Sequence, residues 1–360
     1  MSILFLKENL LYKMKKKRIV IVLSLIIFLF LASAYLFNYY NTFYKENTSF
    51  LEDKIYLFIP TGSGLDNLKK QITPFLKDST TFFNAALKKE YSKNIKAGKY
   101  EIKKGFSNND IISSLRSKNI PVNLTFNNIE RLEVLASKVS EIIEADSTSL
   151  MNSFLNKDFL AQNNLNKHSV FAIFLPNTYE FYWNSNANQF RDKMLKQFKY
   201  FWNSSRLDKA SSFGLSPVKV SVLASIVQRE TPKVDERPTI SGVYYNRLKK
   251  RMKLQADPTV VYTIKQKKGF DTKIRRVLYK DLKIKSPYNT YRNKGLPPGP
   301  IYMPDISSIE SVLNLQDHNY IFFVADVKRP GYHIFAKTLS QHNKNKRQYT
   351  SWLRKNKIKR

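Results

Sequence analysis

Residues 19–37, IVIVLSLIIFLFLASAYLF, contain no charge and nothing strongly polar beyond two serines. A helix rises ~1.5 Å per residue, so this run covers most of a ~30 Å hydrocarbon layer. Lys13, Lys15, Lys16, Lys17 and Arg18 precede it, and the next charge is Lys45. By the positive-inside rule the amino terminus stays in the cytoplasm and the chain beyond Tyr39 lies outside. A cleaved signal peptide is the rival reading. Against it, the apolar run is longer than a usual signal core, and Ala32-Ser33-Ala34 falls inside the run rather than after it. The expectation is a single-pass protein of the inner (cytoplasmic) membrane. Residues 1–18 would form a cytoplasmic basic segment, 19–38 the transmembrane helix, and the remainder would lie on the periplasmic side.

With 360 residues in all, what must fold outside is long enough for two or three domains. The chain is also extremely basic, with a formal charge of +33, and no acidic residue follows Asp326. Residues 344–360 therefore read as a basic tail. Nucleic acid, anionic lipid and an anionic wall polymer are the partners that such a charge suits; a lysine- and asparagine-rich drift in composition is the fourth reading. The topology removes nucleic acid, which would lie across the membrane from the main body. There is no cysteine, which excludes disulfides and cysteine-based metal sites.

Residues 216–248, SPVKVSVLASIVQRETPKVDERPTISGVYYNRL, carry the strongest chemical signal. Ser216 before Pro217 reads as an N-cap with proline at the first helical position, and the residue before Pro232 is biased out of a helix. One helix is therefore predicted over 217–230. At ~100° per residue, Val222, Leu223, Ile226 and Val227 fill one apolar arc, with Glu230 in its middle and Ser221, Ser225 and Gln228 on other sides. A merely solvating glutamate would face away and would favour the first turn. Burial and the negative end of a helix both raise a carboxyl pKa, which is what a general acid working near neutral pH requires. A buried structural glutamate paired with an arginine fits the same pattern, and the residues alone leave both readings open.

In order and spacing, ASIVQRE, YYNRL, LQADPTVVY, SPYNTY, GLPPGPI, YIFFVAD and GYHIFAKTLSQHN resemble the endolytic murein (lytic) transglycosylases, the YceG-like family, over residues 216–343. The resemblance implies an enzyme that cuts the β-1,4 bond between N-acetylmuramic acid and N-acetylglucosamine within peptidoglycan glycan strands. It would leave 1,6-anhydromuramyl ends and so terminate or trim nascent strands. No cofactor is implied; the partners are peptidoglycan itself and, as candidates, peptidoglycan synthases. The family's catalytic glutamate closes its SIVxxE phrase, and the matching position here is Glu230. Some relatives carry a further glutamate where this chain has Gln228, which implies that Gln228 is not the essential group. The rival from another class is a non-catalytic, membrane-anchored scaffold that grips the wall.

Residues 39–53 are polar and aromatic and read as a stalk. A strand at 54–60, helices at 65–72 and 80–91, a strand at 95–102 and a helix opened by a Ser107/Asp110 capping box resemble the small LysM-like module that the family carries before its catalytic domain. Glycan binding and a plain spacer are both open for it. A strand at 121–126, helices at 130–143 and 149–156, and the phrase FAIFLPNTYEFY follow, the last resembling the family's entry to the catalytic domain. Strands and helices mix without a βαβ rhythm, so the predicted class is α+β. After the transmembrane helix come the stalk and LysM-like α/β module over 39–120 and a mixed α+β catalytic domain over 121–343.

A second helix over 237–250 turns Ile240, Val243, Tyr244 and Leu248 toward the first. Asn246 flanks that stripe as a substrate-binding candidate. Arg247 either forms a salt bridge, with Asp257 for example, or meets the carboxylates of peptidoglycan. Gln255 and Asp257 fall on a turn. Asp257 precedes Pro258, so it either caps a helix over 259–265 or, with Gln255, hydrogen-bonds sugar hydroxyls or the N-acetyl group. Asn289, Thr290 and Tyr291 lie on a rigid loop of the kind that walls a cleft and complete the substrate-binding set. A hairpin is predicted from 320–326 and 332–338. His318, His333 and His342 have no metal-ligand spacing, so no metal is expected, and neither a G-x-S-x-G elbow nor a Gly-rich phosphate loop supports esterase or nucleotide chemistry. Asp235 and Glu236 suit the start of the second helix. One dedicated carboxylate, Glu230, is then the simpler count, with Asp257 the first candidate for a second.

Overall fold

The computed structural model describes residues 2–356. Helix α1 (Ser2–Phe43) is continuous, and every large apolar side chain from Ile19 to Phe37 is more than half exposed. Because the apolar run is unbroken, these side chains point to all sides of the helix, the pattern of an element whose solvent is lipid. It is long and apolar enough to cross a membrane. The helix outlasts the predicted 19–38 at both ends, since nothing between Ser2 and Phe43 breaks it.

The chain divides into two compact units, Met1–Pro121 with Tyr182–Asn184, and Val122–Phe181 with Ser185–Arg360. In the first, α1 is followed by β1 (Lys54–Ile59), α2 (Leu65–Ile72), α3 (Ser79–Lys88), β2 (Gly98–Lys103) and α4 (Asn108–Arg116). β1 and β2 pair antiparallel from Lys54↔Lys103 to Ile59↔Gly98. Strand alternation turns Leu57, Ile59, Tyr100 and Ile102 inward against Leu68, Ile72, Phe82 and Ile111. The Ser107/Asp110 capping box opens α4 as the sequence predicts. Residues 39–53, expected as a stalk, are instead built into this unit. Phe43 joins its core; Asn47 Nδ2 donates to Asn108 Oδ1 at 2.7 Å and to Asp78 O at 2.7 Å, and Asn108 Nδ2 donates to Thr42 O at 2.8 Å. Side-chain amides can be buried when each finds a partner, so polar composition alone does not make a segment solvent-facing.

The second unit holds β3 (Pro121–Phe126), α5 (Leu132–Ser140), α6 (Ser147–Phe154), α7 (Lys157–Gln162), β4 (Asn177–Tyr182), α8 (Ala187–Phe201), α9 (Ser204–Ser212), α10 (Pro217–Glu230), α11 (Arg237–Lys249), α12 (Asp257–Lys268), α13 (Ile306–Leu313), β5 (Phe322–Ala325), β6 (His333–Ala336) and α14 (Leu339–Lys355). β3 pairs with β4 and β5 with β6, so among the described residues the strands form two-stranded sheets and the unit is mixed α+β.

α10 is the axis of this unit. Ser216 Oγ caps it by accepting from Lys219 N at 3.3 Å, Pro217 opens it, and every residue from Val220 to Val227 is buried. The predicted apolar arc is buried, but so are Ser221 and Ser225 on the other sides, because α11, α12 and α13 all pack on this helix. Short hydroxyl side chains let the neighbours approach, and each finds a partner. Ser221 donates to Pro217 O at 3.2 Å; Ser225 donates to Val222 O at 2.7 Å and accepts from Ile301 N at 3.1 Å. The residues from 344 onward, expected as a basic tail, continue α14 as far as Lys355, with Tyr349 buried; the last four residues lie outside the described residues.

Candidate active site

α10 ends at Glu230 because Thr231 is extended ahead of Pro232. Its carboxyl opens on a cleft of about 510 Å³. α11 brings Tyr244 to the same point, where its hydroxyl donates to Glu230 Oε2 at 2.9 Å. Desolvation pushes the Glu230 carboxyl up to about 7, and Asp257 adds to the rise. Tyr244, His333 and Arg247 act in the opposite direction but do not cancel the effect of burial. Burial and the neighbouring Glu230 also hold the Tyr244 hydroxyl well above its ordinary range, so it remains a donor. A carboxylic acid protonated near neutrality and aimed into a cleft can deliver a proton to a leaving oxygen.

One side of the cleft is the turn before α12. Gln255 adopts φ 52°, in the left-handed region, which costs about 1 kcal/mol for a residue with a side chain. It is held there by its own N–H on Thr290 O at 3.2 Å and by Arg247 Nη1, which donates to Gln255 Oε1 at 3.2 Å. Asp257 is the first residue of α12, and Ala256 occupies the cap position; the predicted capping role is replaced by a bond from the Tyr291 hydroxyl to Asp257 Oδ1 at 2.6 Å. Burial, then Asp257, keeps the Tyr291 hydroxyl protonated far above its usual range. Glu230, Gln255, Asp257 and Tyr291 thus meet in one cleft.

Asn246, Asn289 and Thr290 do not line it. Asn246 Nδ2 donates to His318 O at 2.6 Å and Tyr320 O at 3.1 Å, tying α11 to the segment before β5. Asn289 is fully buried; its Nδ2 donates to Leu282 O at 3.0 Å and Ile284 O at 2.8 Å, and its Oδ1 accepts from Tyr291 N at 3.0 Å. Thr290, also buried, accepts from Ala256 N at 3.0 Å and shares a 2.8 Å hydroxyl contact with Thr259. These three polar side chains are committed to backbone and loop partners rather than facing the cleft: Asn289 and Thr290 hold Tyr291 and the Gln255 turn, and Asn246 holds the segment before β5. Arg247 likewise forms no ion pair among the described residues. It donates to Ile321 O at 2.7 Å and Leu254 O at 2.7 Å and stacks over Phe322, replacing the expected salt bridge with carbonyl contacts.

The rest of the wall was not legible as a site. β5 contributes Phe322, Phe323, Val324 and Ala325, and α14 contributes Leu339, His342, Asn343, Lys346 and Tyr349. Tyr244 reads in sequence as one more apolar stripe position; only the approach of α11 to α10 turns its hydroxyl onto Glu230. Glu236, expected to serve the start of α11, is buried against His333. A larger cavity of about 840 Å³ lies elsewhere in this unit, but no carboxylate lines it and it offers no acid. Among the described residues no cluster of three or more His, Cys, Asp or Glu suits a metal.

An α+β unit built around a buried helix that ends in a carboxyl raised to about 7 has the frame that acid–base chemistry requires, and comparison with known proteins gives the family. The YceG-like family matches residues 57–348. A Bacillus subtilis protein named endolytic murein transglycosylase is 32% identical over 319 residues, covering 81% of this chain and 84% of its own length. A Streptococcus pneumoniae protein of the same name is 26% identical, covering 80% of this chain, which spans 57% of that longer relative. The crystal structure of a YceG-like protein from Listeria monocytogenes superposes with a TM-score of 0.52 at 28% identity, over 81% of this chain and 98% of that one. The chain belongs to the YceG-like family.

Proposed function

We infer that this protein is an endolytic peptidoglycan lytic transglycosylase with Glu230 as its acid/base. The observation that carries the reading is the Glu230 carboxyl raised to about 7 at the end of α10, in a chain whose relatives are named endolytic murein transglycosylases. Glu230 gives its proton to the glycosidic oxygen between N-acetylmuramic acid and N-acetylglucosamine. The C6 hydroxyl of the same muramyl sugar then closes on C1, and its proton returns to the Glu230 carboxylate. Because the nucleophile belongs to the substrate, one carboxyl suffices, and the intramolecular attack has an entropic advantage over water. Gln255, Asp257 and Tyr291 present polar groups to the sugar from the same cleft. Asn246, Asn289 and Thr290 act through the loops they hold. A non-catalytic scaffold would have no use for a carboxyl kept protonated near neutral pH.

In this reading α1 anchors the chain, and everything after it lies outside the cytoplasm, consistent with Lys13, Lys15, Lys16, Lys17 and Arg18 before the apolar run. The strand, helix, helix, strand order of the first unit supports a LysM-like glycan-binding role. Peptidoglycan synthases are the natural partners of an enzyme that ends nascent strands. Digestion of purified sacculi in ¹⁸O-water tests the chemistry. The expected fragments end in unlabelled 1,6-anhydromuramyl residues. Reducing ends carrying the heavy label would make the enzyme a hydrolase with a second carboxylate, and Asp257 would be the first to test.

A further inference from the structure

Glu236 is 5% exposed and spends both carboxylate oxygens on one residue. Oε1 accepts from the His333 backbone N–H at 2.6 Å, and Oε2 lies 2.9 Å from His333 Nδ1. An ionised carboxylate only accepts, so Nδ1 carries the hydrogen and, in the neutral ring, Nε2 is left as an acceptor. Among the described residues Nε2 has no hydrogen-bond partner, and His333 lines the cleft that holds Glu230. The ring is fixed from the side as well. Phe323 packs edge-on against His333 at 5.0 Å and against Tyr244, the residue bonded to Glu230, at 5.9 Å. A simple tie between β6 and the start of α11 needs only the backbone bond. The second bond, to the ring, sets a tautomer and leaves Nε2 as an acceptor in a residue that lines the cleft.

The proposed reaction has a use for such a nitrogen. The anhydro bridge closes on the ring face from which the β-linked leaving oxygen departs, so the two proton transfers take place side by side. Resting on the transglycosylase reading, we propose that His333 is a second catalytic residue, oriented by Glu236, whose Nε2 takes the proton of the muramyl C6 hydroxyl. As the C1–O4 bond breaks, O4 receives the Glu230 proton. As the O6–C1 bond forms, the O6 proton passes to Nε2, and the imidazolium so formed is paired with the Glu236 carboxylate. It then returns the proton to the Glu230 carboxylate, and both groups are restored.

The test uses the full chain in detergent, purified glycan strands and ¹⁸O-water, with His333→Gln and Glu236→Gln. The amide of Glu236→Gln still accepts from the His333 backbone but donates to Nδ1, which moves the ring hydrogen to Nε2 and removes the acceptor. Both variants are expected to lose about 10- to 100-fold in kcat with KM within about threefold, and the double variant to be no worse than either single one. With the C6 hydroxyl no longer activated, water competes, so a measurable share of ends becomes labelled reducing ends. A merely structural tie would not move that ratio. Variants that melt like the parent and keep kcat within about threefold with wholly anhydro products overturn the proposal. So does a loss of activity that tracks loss of folded protein while the products stay wholly anhydro. Labelled ends from the unmodified chain overturn the transglycosylase reading itself, and the role of His333 with it.

Discussion

Glu230 stands where stability and function pull in opposite directions. Its carboxyl is raised from an ordinary 4.5 to about 7, so between those values the folded protein holds a proton that the unfolded chain has released. Stability is therefore full below about pH 4.5 and falls as pH rises through about 7, by roughly 3 kcal/mol at most. Glu230→Gln keeps the shape and can still accept from Tyr244 but never ionises. It is expected to lose about 10²-fold or more in activity. It should also be about 1–3 kcal/mol more stable than the parent at pH 8 and no more stable at pH 4. Thermal unfolding at the two pH values checks this; equal melting temperatures at pH 8 would show that the carboxyl is not raised. The parent's activity should decline as pH rises through about 7, where the acid form is lost. Tyr244→Phe removes a donor that favours the charged carboxylate, so the alkaline limb of the pH–rate profile should move to higher pH. A limb that stays in place or moves down would sink this account of the Tyr244 bond.

At the scale of elements, the end of α10 is held from two sides. Gln228 Oε1 accepts from Asp305 N at 2.6 Å; Asp305 in turn caps α13 through Ser308 N at 2.6 Å and pairs with the buried Arg237 at 2.8 Å. Gln228→Ala leaves that backbone N–H without its partner and should cost about 1–3 kcal/mol in unfolding experiments. Activity per folded molecule should change by less than about threefold, unlike the loss at Glu230. On the other side α14 brings Lys346 into the cleft; burial, then Lys346 and Arg247, depresses the His342 pKa, and the two cations concentrate positive charge at that wall. Peptidoglycan carries carboxylates on its stem peptides, and on its lactyl groups where the stem is absent. Lys346→Glu should therefore raise KM by about five- to tenfold at low salt, with kcat little changed, and the effect should shrink as salt is raised. A KM independent of both charge and salt would remove α14 from substrate recognition.

For the whole molecule, the proposed sidedness rests on the charge flank before the apolar run. A reporter joined to the carboxyl end should be active only when exported, and cytoplasmic activity would reverse the proposed topology. That inference needs no tertiary structure, because a run of 19 residues without charge and five basic residues just before it are local facts. The limits of α10 were equally legible, since Ser216, Pro217 and Pro232 restrict the backbone at the positions where they stand. So was Glu230, whose placement among apolar neighbours follows from helical periodicity. The strand, helix, helix, strand order of the first unit and the β5–β6 hairpin could also be read from period and turn residues. What periodicity could not say is which side of a helix faces a neighbour when neighbours pack all round it, so Ser221 and Ser225 were placed outside the core that they enter. Nor could it join residues far apart in sequence. The pairing of Tyr244 with Glu230, of Glu236 with His333 and of Tyr291 with Asp257 joins segments 14, 97 and 34 residues apart, across helix breaks and loops. The sequence by itself determined the apolar amino-terminal helix, the central helix and the place of Glu230 at its end. Only the tertiary structure decided which hydroxyl holds the Glu230 carboxyl, which buried carboxylate holds His333 and which polar side chains face the cleft, because packing sets those contacts after the local conformation is already fixed.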